Sequence, residues 1–137
     1  DYHKLIKPIV LKKTNIVYGS RVLKRNRYKA QNFSSNFRVF ANHILTLFSN
    51  YINNQNLTDA HTCYKTIRSN IYKKIILKEN GFSFCPEITT KMSNLREDII
   101  EVPIKYSGRT YEEGKKISFL DGFSAIIAII KYKFFKK

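Results

Sequence analysis

Three short stretches pair a glycine with a cation: Gly19-Ser20-Arg21, Gly108-Arg109 and Gly114-Lys115-Lys116. Glycine lets a backbone approach a ligand closely, and an arginine fork grips two phosphate oxygens at once. Each stretch also reads as a solvated turn, and both readings stand on the residues alone. The segment SGRTYEEGKKISFLDG, residues 107–122, concentrates the question. Arg109, Lys115 and Lys116 there surround a tyrosine, two glutamates and a glycine, just after a strand-like run.

Other chemistries find little support. The three histidines, His3, His43 and His61, form no Ser-His-Asp pattern. The five glycines are scattered, so no glycine-rich phosphate loop exists. His61 and Cys63 make an H-x-C, yet a zinc site needs four ligands in paired spacings, and there is no second pair. Cys63 and Cys85 therefore read as reduced, partly buried thiols suited to a reducing cytosol. No signal peptide is visible at the start of the chain.

The elements that must carry these residues follow from length and pattern. At 137 residues the chain matches one domain with a modest core, and 43% apolar residues set it apart from disordered sequences. Its 25 Lys and Arg against 10 Asp and Glu give a net charge of +15, part of which reflects a Lys-, Asn- and Ile-rich composition. Such a surface attracts polyanions: nucleic acid, anionic lipid or phosphorylated small molecules.

Residues 1–13 predict a short helix limited by Pro8, with Leu5, Ile6 and Ile9 on one side. Residues 14–21 predict a buried strand closed by a tight turn at Gly19. A basic loop follows. Residues 35–54 predict the clearest helix, capped by Ser34 or Ser35. Phe37, Phe40, Ile44, Leu47, Phe48 and Tyr51 make its core face, and Asn53-Asn54 its end. Residues 57–68 read as a turn and a short extended piece, 69–80 as a second amphipathic helix ending at Asn80-Gly81, and 86–95 as a helix with Pro86 in its first turn. Pro103 marks an edge or bulge in the strand at 98–107. The last helix, from Phe119, is apolar to Ile130 and then basic. It is too short in apolar residues to span a membrane. It reads either as a core helix or as an interfacial helix over 119–137, and one helix can be both. Alternating elements without repeats or a linker predict a layered α/β fold.

The order of these motifs resembles the C-terminal half of bacterial family 2 glycosyltransferases of the dolichol-phosphate mannosyltransferase type. Asp59, Thr62, Cys63, Tyr64 and Lys65 match an Asp-x-x-Thr/Ser-Cys/Gly-Tyr/Phe-Lys/Arg turn. Pro86-Glu87-Ile88 and Glu101-Val102-Pro103-Ile104-x-Tyr106 follow in register, then the Arg-x-x-x-x-Gly-Lys-Lys-Ile run from Arg109. Val17 to Arg21 resemble the strand after the family's metal motif. The resemblance covers nearly the whole chain and is loosest over 22–36.

That resemblance implies the C-terminal portion of a GT-A, Rossmann-like domain. The implied enzyme is a peripheral one at the cytoplasmic face of the inner membrane. It moves a sugar from a nucleotide-sugar donor to a polyprenyl phosphate by direct displacement. Carried over residue by residue, Arg21, Arg109, Lys115 and Lys116 bind the acceptor phosphate. Ser20 and Asp59 lie on the donor side, and Asp59 and Arg109 are the catalytic candidates. A phosphate acceptor is already anionic near neutral pH, so it needs no general base. The family's Asp-x-Asp motif is absent from this sequence, so the divalent metal, Mg or Mn, is expected on ligands upstream and the chain is expected to be inactive alone. The alternative is a basic, non-catalytic module that binds nucleic acid or an anionic membrane surface; no sequence-specific nucleic-acid partner is expected, because most aromatic residues fall on predicted helix faces.

Overall fold

The computed structural model describes residues 1–23, 33–105 and 119–135, with the side chains of 33–38 and of Phe119 left aside. Within them the fold is mixed α/β, with five α-helices around a three-stranded sheet. Helix α1 (Tyr2–Val10) keeps Pro8 inside its last turns. It buries Leu5, whereas Ile6 faces solvent, so the expected three-residue face narrows.

Strand β1 (Ile16–Ser20) is buried at every position. It is central because it pairs on both sides: antiparallel with β2 (Lys65–Ile67) and parallel with β3 (Ile99–Pro103). The continuous apolar run of β1 is what a doubly covered strand requires. Gly19 lies within this strand rather than in the expected tight turn. A Cβ there would sit 2.7 Å from the Ile104 Cγ2 and 2.9 Å from the Tyr64 Cβ. The glycine is needed because its neighbours press onto the strand from two sides. Strand β3 ends on Pro103 at the sheet edge, as its missing N–H demands.

Helix α2 (Phe33–Asn53) starts before the expected serine caps and ends as expected, with Asn54 in the left-handed conformation at φ 52°. Its orientation reverses the expectation. Phe40, Ile44, Leu47 and Tyr51 lie outward, 48% to 85% exposed, while Thr46, Ser49 and Asn53 are buried. The inner face is polar because it braces other backbone. Asn50 Nδ2 donates to the Leu57 carbonyl at 2.8 Å, and its Oδ1 accepts from Leu57 N at 3.0 Å. Asn53 Nδ2 donates to the Thr90 hydroxyl at 3.1 Å.

The helix expected over 69–80 shortens to one turn, α3 (Ser69–Tyr72). Downstream, the Lys78 and Glu79 amides donate to the Glu87 carboxylate, which removes them from any helical ladder. Gly81 does adopt a left-handed φ of 61°, but it opens a short 3-10 turn (Gly81–Ser83) leading into α4 (Phe84–Asn94). Helix α5 (Phe119–Phe134) packs on α2 and α4 through Ala125, Ala128, Ile129 and Tyr132, at helical spacing. The core gathers Ile16, Tyr18, Leu57, Ile71, Ile88 and Met92 between the sheet and α4.

Candidate functional site at the carboxyl end of the sheet

Parallel pairing brings the ends of β1 and β3 together. Ser20 stands opposite Pro103, and Ile104 N donates to the Ser20 carbonyl at 3.0 Å. In open α/β sheets this is the end where ligands bind. The turn at 57–65 closes over it, and the charged side chains of Asp59, Glu101 and Lys65 fix that turn.

Asp59 is the centre. It is fully buried and receives a bidentate fork from Arg21, with Nε to Oδ2 and Nη2 to Oδ1 both at 2.6 Å. The Arg21 amide donates to Oδ2 at 3.1 Å, and Asn42 of α2 reaches Oδ1 at 3.4 Å. Burial alone would raise the Asp59 pKa, but Arg21 outweighs it and holds the carboxyl below its ordinary value of 3.8. Glu101, in the middle of β3, accepts from the Thr58 and Asp59 amides at 2.7 and 2.9 Å. Ser20 is 1% exposed; its hydroxyl pairs with that of Thr58 at 2.7 Å and accepts from the Val22 and Leu23 amides.

Lys65 is the third clamp. Its ammonium donates to the carbonyls of Ala60 and Thr62 and sits 4.3 Å from the centre of the Tyr18 ring. Burial lowers its pKa, opposed by Asp59 and the cysteines. Glu87 braces a different stretch, residues 78–79. It is fully buried, paired with Lys91 at 2.6 Å, and bound to the backbone that leads into α4. His61, on the same turn, has a pKa lowered to about 4, mainly by burial and then by the Lys65 cation.

The structure thus brings together Ser20, Arg21 and Asp59 of the expected residues. Arg21 commits its Nε and Nη2 to Asp59, and Ser20 and Asp59 are enclosed, so these three build the floor of the site. Arg109, Lys115 and Lys116 lie outside the described residues. Lys105, four residues before Arg109, lies two residues past Pro103, the partner of Ser20, and its amide donates to the Asp1 carboxylate at 2.8 Å. Glu101 and Lys65 went unassigned from sequence, although both sit within the quoted motifs; a charged residue inside a strand was the available signal. Among the described residues no three His, Cys, Asp or Glu side chains are grouped to hold a metal. Of the two acids at this site, Asp59 has both oxygens occupied by Arg21 and Asn42, and Glu101 has both occupied by the Thr58 and Asp59 amides, so neither fits that role.

Comparison with protein-family models, with curated proteins and with solved structures finds no match for this chain.

Proposed function

We propose that the chain is the acceptor side of a glycosyltransferase, the C-terminal portion of a GT-A domain. This enzyme transfers a sugar from a nucleotide-sugar donor to a polyprenyl phosphate by direct displacement. One observation carries the reading: motifs far apart in sequence converge on one end of the sheet. Asp59 from the central turn, Arg21 just past β1 and Glu101 from β3 interlock there, and the chain leaves that same end towards Arg109.

The chemistry asks for orientation more than proton transfer. A phosphate monoester carries its own nucleophilic oxygen, so the protein needs cations that hold it in line with the donor. Arg109, with Lys115 and Lys116, supplies them. Asp59, kept ionised, fixes Arg21 and the turn that forms the floor. The metal expected of the complete enzyme would bring charge stabilisation to the donor diphosphate, on ligands other than these residues.

The lipid tail of such an acceptor calls for a membrane surface. No helix among the described residues is long and apolar enough to cross a membrane. Neighbouring α2 and α5 instead expose apolar stripes, and Lys131 and Lys133 lie in the last turn of α5. Apolar side chains beside lysines suit an anionic interface.

The test is transfer to polyprenyl phosphate by the complete enzyme, with acceptor and donor varied separately. Arg109→Ala should cut acceptor efficiency roughly ten- to a hundredfold, from the loss of a charge-assisted phosphate contact. Arg109→Lys should be nearly as damaging, since an ammonium cannot reproduce the fork. Unchanged acceptor dependence in Arg109→Ala would reduce the 107–116 segment to a charged surface turn.

A further inference from the structure

We propose that Cys63 and Cys85 form a reactive thiol pair, a modification site for hydroperoxides in which Cys63 is the attacking sulfur and Cys85 the resolving one. The two residues come from different elements, the 57–65 turn and the first turn of α4. The fold nevertheless places them side by side: Cys85 Sγ donates to the carbonyl oxygen of Thr62, the residue next to Cys63, at 3.6 Å, which brings its thiol within reach of the Cys63 sulfur. Their environments differ in the way such a pair requires. Cys63 is exposed and lines an open cleft of about 230 Å³ with Tyr2, Leu5, Tyr64, Lys65 and Thr66. Cys85 is buried behind it.

The charges around the pair favour one thiolate and one thiol. The hydrogen bond from Cys85 lowers the Cys63 pKa to about 6, helped by Lys65 and Arg21 and opposed by burial and Asp59. The same contact, with burial, pushes Cys85 up and keeps it protonated. An accessible low-pKa sulfur beside a second cysteine is the arrangement that reacts with peroxide and then closes to a disulfide.

The steps balance with hydroperoxide as the oxidant. The Cys63 thiolate attacks one peroxide oxygen; an S–O bond forms, the O–O bond breaks, and hydroxide leaves to take a proton as water. Cys63 is then a sulfenic acid. The Cys85 sulfur attacks that sulfur; an S–S bond forms, the S–O bond breaks, and the departing hydroxide takes the Cys85 proton as a second water. Two thiols are oxidised by two electrons and one peroxide is reduced to two waters. The resulting bond would tie the turn that carries Asp59 to α4, so oxidation would act on the floor of the site described above. The proposal itself stands apart from any transferase activity.

The test uses the purified chain with hydrogen peroxide at high dilution, followed by alkylation under denaturing conditions and mass analysis. The expected product lacks two hydrogens and maps to a Cys63–Cys85 cross-link within one chain. In Cys85→Ala the reaction should stop at a sulfenic acid on Cys63 that dimedone traps. A second measurement follows iodoacetamide labelling of Cys63 against pH in the unoxidised protein. Half-maximal rate should fall near pH 6 in the wild type and move towards the ordinary thiol value of 9.0 in Cys85→Ala, with labelling at pH 7 slowed roughly tenfold. Labelling of the wild type that rises only in the ordinary thiol range would overturn the proposal. So would peroxide products confined to Cys85 or to linkages between chains.

Discussion

Single side chains at this site act by burial and pairing, and their ionisation ties them to stability. His61 titrates near 4 in the folded chain against an ordinary 6.5. As pH falls, the unfolded chain therefore takes up that proton first. The stability His61 confers is complete above about pH 6.5 and drains between 6.5 and 4. Asp59 has a folded pKa below its ordinary 3.8, so its contribution is complete above about pH 4 and is lost only as pH falls through the folded value. The expected profile from urea unfolding is a plateau near neutral pH, a decline of roughly 3 kcal/mol between pH 6.5 and 4 from His61, and a further fall in stronger acid. His61→Gln should flatten the first decline and spare the second, whereas Asp59→Asn should remove part of the second. A wild-type midpoint that is level from pH 6.5 to 4.5 contradicts this account. The two effects separate because the His61 window lies between pH 6.5 and 4 while that of Asp59 opens only below its ordinary 3.8.

Among the elements, α2 departs furthest from its pattern, and the departure has a cause. Its two stripes are offset by two positions: Phe40, Ile44, Leu47 and Tyr51 outward, Asn42, Thr46, Ser49 and Asn53 inward or towards the turn. Periodicity gives the direction of neither stripe. The polar side turns inward because Asn42, Asn50 and Asn53 satisfy Asp59, the Leu57 backbone and Thr90, groups that only the folded chain brings near. The helix predicted over 69–80 stops early for a related reason, since the amides of Lys78 and Glu79 answer to Glu87. By contrast, β1, α4 and α5 were legible, because an unbroken apolar run, a proline in a first turn and helical spacing are local signals. The outward stripes of α2 and α5 lead to a measurable outcome. Vesicle co-sedimentation should rise with anionic lipid and fall with salt. Ile44→Ser with Leu47→Ser should weaken it roughly tenfold, through apolar area no longer removed from water. Equal retention on neutral and anionic vesicles, or no loss in the double variant, would assign α2 and α5 no part in membrane contact.

For the whole molecule, the sequence made the mixed α/β class and the Pro103 edge readable. The interlocking of Arg21, Asp59 and Glu101 was not readable in the same way. Its members are about forty residues apart, 38 from Arg21 to Asp59 and 42 from Asp59 to Glu101, and no local period reports such a pairing. Cys63 and Cys85 were read as separate thiols for the same reason. What unites these features is a sheet end braced by buried charge, with a basic segment leaving from it. The most direct test of a phosphate-binding role for that end is an amide NMR titration of this chain with a short polyprenyl phosphate in detergent micelles, set against the matching polyprenyl alcohol. Binding as proposed predicts shifts at Gly19–Arg21, Thr58–Thr62 and Ile104–Lys105 with the phosphate, and none there with the alcohol. Identical shifts for the two lipids, or phosphate-dependent shifts confined to α2 and α5, would contradict it.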